Sequence, residues 1–412
     1  MKDEYNLRGL DRRVWLLAGS RLIRSLGRVS SFLFLPLIFV FVYGISFLLS
    51  GIILAIGTAV MSLVQYYAGL WTDRVGRRAF LIYAPLPVIF LYLLMYFEVA
   101  YRWPAASLVL TWLGTICVNA LQYPAIQASV ADISRPEQRL SAFTAVRMLV
   151  NVGAALGPLL GGFLATMGFQ YVFLSASVAT VVEVIMLYST MSETYTPTGG
   201  RERERIDLTV LGRDRFLLIF SLIGVLAGFV IRQDGPALTL YVFDFNRMPI
   251  IDIGYIYSMN GLLVVALQFF VLRVMTMRSN AVFWRGIGML FYAASFALLT
   301  HFHSLGFLLA IMAIITVGED FVSPTTQAII TNIAPQEARG TYIGVYNLLT
   351  SAGRVAGTAV GLYLLYFYRA VTWEFWLTVA VLSLLTFLAY ISTSHSYTLR
   401  LSSSKSGAMG AR

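Results

Sequence analysis

The sequence has little charge, a single cysteine and three histidines. Charged residues make up 12% of the 412 residues, about half of their usual share in soluble proteins. This scarcity excludes a water-soluble globular domain, and the apolar composition equally excludes a disordered chain. The single cysteine, Cys117, excludes an intrachain disulfide and a cysteine-based metal site. His301 and His303 have no third ligand in sight, so we predict no metal site.

What the sequence has in abundance is apolar length. Hydrophobic residues make up 58% of the chain, and the mean hydropathy is +0.76. A helix needs about 20 mostly apolar residues to cross a bilayer. Twelve such runs occur, at residues 15–42, 46–71, 80–98, 105–132, 140–166, 170–192, 216–243, 252–275, 283–302, 305–332, 340–368 and 373–394. The sequence therefore predicts an all-α integral membrane protein with twelve transmembrane helices.

The basic residues orient the chain. With the N-terminus inside, the inner segments carry 21 lysines and arginines, whereas the outer loops carry only Arg102, Arg247 and Arg369. The positive-inside rule then predicts a multi-pass protein of the cell (plasma) membrane with both termini in the cytoplasm. The net charge of +10 is accounted for by this distribution, so we expect no nucleic-acid partner.

An internal repeat divides the chain in two. Gly153, Gly157 and Gly161 recur 200 residues later as glycines, and Gln65 and Phe80 recur 203 residues later as the same residue types. Two pseudo-symmetric six-helix halves are therefore predicted, and such halves commonly hold a substrate site at the middle of the membrane. The predicted parts are an N-terminal six-helix bundle (1–192), a cytoplasmic linker (193–215), a C-terminal six-helix bundle (216–394) and a cytoplasmic tail (395–412).

A ten-residue motif, G-L-W-T-D-R-V-G-R-R, follows the second span at residues 69–78. It resembles the G-x-L-x-D-R-x-G-R-[RK] signature of the major facilitator superfamily, and the matching residues are Gly69, Asp73, Arg74, Gly76, Arg77 and Arg78. The resemblance implies the major facilitator fold and an inner gate. In that gate Asp73 meets the start of helix 11 near Gly340, and Arg77 pairs with Asp132 at the end of helix 4. The alternative is that these arginines only determine topology.

Helix 5 carries G-A-A-L-G-P-L-L-G-G at residues 153–162. This resembles the motif of the antiporter branches of the superfamily, with Gly153, Gly157, Pro158 and Gly161 at the matching positions. Glycines at four-residue spacing let helices pack closely, and a proline bends a helix. Many antiporters also carry R-x-x-Q-G in helix 4, but here Asn119 and Gln122 lie in that region.

Three carboxylates fall inside predicted spans, Asp234 in helix 7 and Glu319 and Asp320 in helix 10. Intramembrane charges usually face a cavity and serve a function. A carboxyl in a low-dielectric cavity holds its proton more tightly than it does in water. The surroundings of these acids resemble those of multidrug–proton antiporters, which implies proton coupling through Glu319 first, then Asp234 and Asp320. The alternative is a permanent pair, for instance Asp234 with Arg232.

Arginines inside the spans are the candidates for substrate binding. Arg21, Arg24 and Arg28 lie on one face of helix 1, and Arg21 is expected to extend to the inner headgroups. The predicted substrate-binding set is Arg24, Arg28, Arg147, Arg232, Arg354, Asn119, Gln122, Tyr123 and Tyr346. Such a basic set suits an anionic or zwitterionic substrate better than a lipophilic cation.

The leading function is proton-coupled export of small amphiphilic molecules or drugs by alternating access. One alternative is proton-coupled transport of a small organic anion, peptide or sugar acid, and another is a receptor or scaffold without turnover. We predict no enzyme activity and no cofactor, because no nucleophile–base pair, metal cluster or phosphate-binding loop is evident. The expected partners are a small-molecule substrate, protons and the lipid bilayer, and the chain is expected to act as a monomer.

Overall fold

The computed structural model describes residues 9–135, 138–190, 209–277, 280–301, 304–335 and 338–410. Within these ranges every regular element is a helix, and twelve helices are long and apolar enough to cross a membrane. They are numbered here in chain order. Their bounds are Arg12–Val42 (α1), Phe47–Val75 (α2), Arg77–Ala100 (α3), Ala105–Ile133 (α4), Arg139–Met167 (α5), Gln170–Thr190 (α6), Arg215–Phe245 (α7), Ile250–Met275 (α8), Ala281–Leu298 (α9), Leu305–Ile333 (α10), Arg339–Phe367 (α11) and Thr372–Gly410 (α12).

These bounds confirm the twelve predicted spans, with one marked difference at the C-terminus. Helix α12 continues past the predicted span 373–394 and through residues 395–410 of the predicted cytoplasmic tail. The sequence has no glycine or proline between 395 and 400 that would end the helix there. Tyr397 is buried and Arg400 forms an ion pair with Asp214, so this part of α12 is held by the protein.

Two of the spanning helices are interrupted in a related way. Helix α1 is α-helical over Arg12–Phe32 and ends in a π-helix, Ile38–Val42. Helix α7 is α-helical over Arg215–Ile231 and ends in a π-helix, Tyr241–Phe245. The π-helices lie 203 residues apart, which is the offset at which Gln65 and Phe80 recur in the sequence. The repeat is therefore visible in the backbone geometry as well as in residue identity.

The chain divides into two compact units. Unit 1 contains Met1–Arg201 and Val242–Val265, and unit 2 contains Glu202–Tyr241 and Ala266–Arg412. The first part of α8 thus belongs to unit 1. The division into two six-helix bundles at 192 and 216 stays a prediction drawn from the sequence repeat.

Both units use the repeated glycines in the same way. In unit 1, Gly153, Gly157 and Gly161 of α5 lie against the backbone of α1 at Leu22, Leu26 and Ser30. In unit 2, Gly353, Gly357 and Gly361 of α11 lie against α7 at Val225, Phe229 and Gln233. Each of the three contact positions on α1 lies 203 residues before the corresponding position on α7. Close helix packing through small residues therefore fixes α1 and α7, which carry four of the predicted site residues, within their units.

Candidate functional site

The segment between α2 and α3 shows why the gate motif needs glycine at position 76. Gly76 has φ 102° and precedes Arg77, the first residue of α3, and this left-handed backbone is one that other residues rarely adopt. The Arg77 Nε atom lies 3.3 Å from Asp132 Oδ2 at the end of α4, so the structure brings together the pair that the resemblance implied. The Arg78 guanidinium lies over the Tyr188 ring at 5.9 Å. The side chains of Asp73 and Arg74, together with Gly69 and Gly340, lie outside the described residues.

The antiporter-like motif of α5 has a second contact face in unit 1. A Cβ atom on Gly254 of α8 would lie 2.8 Å from the Pro158 carbonyl oxygen, so the two backbones touch. The Leu159 amide donates a hydrogen bond of 2.9 Å to Ser258 Oγ, which also lies on α8. Helix α5 is therefore packed by small residues on one side against α1 and on another against α8.

The arginines at the middle of α1 face a buried carboxylate. Glu183 of α6 is fully buried, and Arg21 Nη1 lies 2.5 Å from its Oε1 atom, while Arg24 Nε lies 3.4 Å from its Oε2 atom. The expectation that Arg21 extends to the inner headgroups is therefore wrong. The position of Arg21 near the inner end of α1 suggested contact with the headgroups. Glu183 on the neighbouring helix α6 instead gives the guanidinium a partner inside the protein.

Two of the predicted substrate ligands on α4 belong to this same buried network. Gln122 accepts a 2.9 Å hydrogen bond from Arg21 Nη1 and donates a 3.2 Å hydrogen bond to Glu183. Arg24, which is 2% exposed, donates to Asn119 and to Thr180. Arg24, Asn119 and Gln122 thus bond mainly to one another and to Glu183, and their role in substrate binding stays a prediction.

Arg28 differs from the other arginines of α1 because its side chain is exposed. Within the described part of the chain it forms no hydrogen bond and no ion pair. Arg147 of α5 is likewise exposed and makes neither kind of contact to the described residues. Tyr123 is also exposed, and Arg354 of α11 is exposed with its Nη2 atom 2.7 Å from Ser351 Oγ. These four side chains are the most exposed of the predicted ligands.

The predicted proton-coupling acids meet within unit 2. The α-helix of α7 ends at Ile231, a 3-10 turn covers Arg232–Asp234, and the helix resumes at Pro236, because a proline lacks the amide hydrogen that would continue the helix. Asp234 interacts electrostatically with Glu319 of α10 and with Arg232, whose Nε atom donates a 3.0 Å hydrogen bond to Thr358. The sequence placed Asp234 and Glu319 on separate helices, and the fold brings them to one site.

Asp320 is the most secluded of the three acids. It is 6% exposed, and its Oδ2 atom has no hydrogen-bond partner among the described residues. It also interacts electrostatically with Glu319. A carboxylate that is buried without a cation is costly, and binding a proton removes that cost. This geometry suits a carboxyl that takes up a proton.

Three buried groups in the spans escaped the sequence analysis. Tyr292 of α9 is fully buried and interacts with Asp234, Glu319 and Asp320, so it belongs to the acid site. Glu98 of α3 is 1% exposed and accepts a 2.8 Å hydrogen bond from Thr111.

Arg285 of α9 is the third buried group. It is 4% exposed, although it was counted with the loop arginines that orient the chain. Its position inside the predicted span 283–302 was the signal for burial. Tyr346, predicted to line a cavity, is 2% exposed and bonds to Arg285 instead.

Comparison with known proteins fits this architecture. The family model described as Major Facilitator Superfamily matches residues 17–358 and 235–410. The chain is 26% identical to an uncharacterized MFS-type transporter, YttB, of Bacillus subtilis, in an alignment that covers 88% of this chain and 89% of that protein. It is also 26% identical to a Na(+), Li(+), K(+)/H(+) antiporter of Planococcus maritimus (74% and 79% covered). A 24% identity links it to the class B tetracycline resistance protein of Escherichia coli (86% and 88% covered).

A solved structure shows the same fold over nearly the whole chain. A POT family transporter in complex with 5-aminolevulinic acid superposes with a TM-score of 0.80, at 15% identity, over 96% of this chain and 98% of that one. At that identity the likeness concerns the fold alone. Twelve spans, the repeated helix packing and the family match agree with one another, and the chain belongs to the major facilitator superfamily.

Proposed function

We propose that this protein is a proton-coupled antiporter that exports small amphiphilic molecules, drugs among them, by alternating access. As a member of the superfamily it is a multi-pass membrane transporter and not an enzyme. The coupling, the direction of transport and the substrate class are the proposed parts. We further propose that it works as a monomer in the plasma membrane with both termini in the cytoplasm, as the distribution of arginines predicts.

The observation that carries the proposal is the acid site of α7 and α10. Asp234 and Glu319 interact across two helices, and Asp320 is buried beside them. Like charges that share a low-dielectric site oppose joint ionisation, so the site favours binding at least one proton. The interruption of α7 at Arg232–Asp234 places one of these acids where the helix is least regular. Irregular backbone inside the membrane commonly lies at functional positions.

Coupling follows if proton and substrate bind the two access states with different affinities. Protonation of the acid site then biases the equilibrium toward one state, and the substrate competes with the proton or displaces it. The Arg77–Asp132 pair, with Asp73, would set the equilibrium of the inner gate without contacting the substrate. The relatives described as a cation/proton antiporter and as a tetracycline resistance protein support antiport and drug export at low identity.

The test uses inside-out vesicles that contain the protein and carry a pH gradient. Uptake of a fluorescent lipophilic cation is compared for the wild type, for Glu319→Gln and for the control Glu374→Gln, which neutralises a carboxylate at the start of α12. We expect gradient-driven uptake in the wild type and in the control, and loss of that uptake in Glu319→Gln. Uptake no greater than in empty vesicles, with folded protein present, would rule out export of lipophilic cations.

A second candidate, transport of a small organic anion, peptide or sugar acid, is favoured by the exposed arginines. Arg28 and Arg147 carry charges that no hydrogen bond or ion pair within the described ranges engages. The same vesicles, given radiolabelled dipeptides and sugar acids, test it. Loss of uptake in Arg28→Gln, with uptake kept in the outer-loop control Arg369→Gln, would favour this candidate over drug export.

A further inference from the structure

A buried guanidinium without an acidic partner lies near the start of α9. All but one of the donors of Arg285 are engaged by neutral groups. Its Nε atom donates to Tyr390 Oη at 2.9 Å, and its Nη2 atom donates to Tyr346 Oη at 3.0 Å. Its Nη1 atom donates to the Val322 carbonyl at 2.9 Å and to Thr326 Oγ1. Among the described residues no carboxylate forms an ion pair with it.

Arg285 therefore keeps a full positive charge inside the protein. An arginine side chain does not lose its proton in proteins, so it cannot escape the cost of burial by becoming neutral. A buried charge without a counter-ion is expensive, and such charges in membrane proteins usually serve a function. The aromatic rings of Phe220 and Tyr390, 5.9 and 5.3 Å from the guanidinium carbon, add cation–π contacts but no negative charge.

The position of this charge relates it to the acid site. Tyr292 lies seven residues after Arg285 on α9, about 10 Å along the helix axis. Tyr292 interacts electrostatically with the three carboxylates and also with Arg285. Arg285 is the one charged side chain of α9, and it lies between the acid site and the predicted cytoplasmic end of that helix.

Buried polar side chains continue from Arg285 toward that end of unit 2. Tyr397 of α12 is 1% exposed and accepts a 3.1 Å hydrogen bond from Asn332 of α10. Asn280, just before α9, donates a 2.9 Å hydrogen bond to Thr398. We name a set of buried polar residues the polar seam: Tyr292, Arg285, Tyr346, Tyr390, Tyr397 and Asn280. The hydrogen-bonding groups that line a path and the charges beside it decide whether protons pass through a membrane protein.

We propose that Arg285 is an electrostatic barrier that keeps protons of the acid site from leaking through this seam to the cytoplasm. A fixed cation that repels protons while neutral groups hold it in place is a known way to exclude them from a polar path. The proposal rests on the proton binding by the acid site that is part of the proposed function above. In this role Arg285 acts through its positive charge on protons, and it does not contact the substrate.

The experiment measures proton leak without any substrate. Purified protein is reconstituted into liposomes that contain pyranine, and a valinomycin-driven potassium diffusion potential draws protons inward. The variants are Arg285→Gln, which removes the charge, Arg285→Lys, which keeps it, and Arg369→Gln as an exposed arginine control. We expect Arg285→Gln to leak about tenfold faster than the wild type, the effect of one charge over roughly 10 Å at an effective dielectric constant of about 20. Arg285→Lys and Arg369→Gln should leak at the wild-type rate.

A second variant guards against misfolding. Thr326→Asp places a carboxylate against the guanidinium and neutralises its field while Arg285 stays in place, so it should leak as Arg285→Gln does. A purely structural role predicts instead that any folded variant holds the proton gradient. A wild-type leak rate in Arg285→Gln or in Thr326→Asp, with correct elution and helix content, overturns the proposal.

The result of the leak experiment can be distinguished from the result of the transport experiment that tests the proposed function. Adding Glu319→Gln to Arg285→Gln should abolish the extra leak if the leaking protons pass through the acid site. Extra leak that persists in this double variant overturns the assigned path. If Glu319→Gln leaves substrate transport intact while Arg285→Gln still leaks, proton-coupled export fails and the barrier stands.

Discussion

Glu183 of α6 and Arg21 of α1 form an ion pair of 2.5 Å in the interior of unit 1. Glu183 also lies 3.4 Å from Arg24 and is fully buried, so two guanidinium groups share one carboxylate. Removal of one member of a buried, hydrogen-bonded ion pair leaves the other charges uncompensated, which is far more costly than never forming the pair. The stability of unit 1 should therefore depend on this single acid.

Glu183→Gln is expected to destabilise the protein by about 3–5 kcal/mol, because Arg21 and Arg24 lose their counter-ion. Thermal unfolding in detergent, followed by tryptophan fluorescence, measures the change. Glu374→Gln, at the start of α12, serves as the control and should unfold like the wild type. An unchanged midpoint in Glu183→Gln would show that the pair contributes nothing to stability.

Gly157→Ala and Gly357→Ala should each cost about 1–3 kcal/mol, as overpacking of a tight contact does. An added Cβ would lie 2.9 Å from the Leu26 carbonyl oxygen in the first case and 2.7 Å from the Phe229 carbonyl oxygen in the second. Backbone cannot move aside as a flexible side chain can. Thermal unfolding of purified protein provides the measurement.

Gly114→Ala is the matched control for these two substitutions. Its added Cβ would lie 3.8 Å from the Leu91 side chain, an ordinary contact, and alanine is the better helix former. We expect unchanged or slightly higher stability for this variant. Equal losses in all three variants would mean that close packing at the repeated glycines is not the cause.

Asp214 gives a pH-dependent prediction at the cytoplasmic end predicted for unit 2. Burial would raise the pKa of this carboxyl, but hydrogen bonds from Arg400, the Leu217 amide and Tyr342 outweigh it and lower the pKa to about 2. Arg400 Nη2 lies 2.6 Å from Asp214 Oδ2. Since the folded pKa lies below the unfolded value of about 3.9, the stabilisation is complete above pH 4 and is lost as the pH falls toward 2.

Asp214→Asn should therefore unfold at a lower temperature than the wild type at pH 7 and at pH 5, by a similar amount. The difference should shrink at pH 3, because Asp214 is already protonated in the unfolded wild type at that pH and folding must remove the proton. Thermal unfolding at several pH values tests this. A difference that grows as the pH is lowered would contradict the assigned direction.

The Arg77–Asp132 pair can be tested by exchange of the two charges. Arg77→Asp should reduce transport, because it places two carboxylates together at the inner ends of α3 and α4. The double variant Arg77→Asp/Asp132→Arg should recover part of the rate, since opposite charges face each other again. The pair is partly exposed, so its contribution to stability should stay below about 1 kcal/mol.

Arg78 supplies the control for this exchange, because its guanidinium lies over Tyr188. Asp132→Arg should not rescue Arg78→Asp. Equal recovery with Arg77→Asp and with Arg78→Asp would show that net charge in this loop matters and that the specific pair does not.

The features that were predicted correctly from the sequence depend on patterns within a single stretch of the chain. Span length, the ten-residue motif between α2 and α3 and the glycine spacing of α5 are all read along the chain. Arg285 escaped because its partners Tyr346 and Tyr390 lie 61 and 105 residues away. The wrong expectation for Arg21 has the same origin, since Glu183 is 162 residues distant. Which helix supplies the neighbour of a charge is decided by packing, and one sequence does not reveal it.

Helices α1 and α7 share their packing against the repeated glycines but differ in their charged residues. Residues 22, 26 and 30 of α1 and residues 225, 229 and 233 of α7 meet the repeated glycines in the same way. At the same offset of 203, however, Arg21, Arg24 and Arg28 correspond to Gly224, Ala227 and Ile231, and Asp234 corresponds to Ser31. A chain built from two copies of the first half would therefore keep its helix contacts and carry only arginines on both of these helices. The two halves share this helix packing, and they differ because α7 carries the carboxylate of Asp234 whereas α1 carries none.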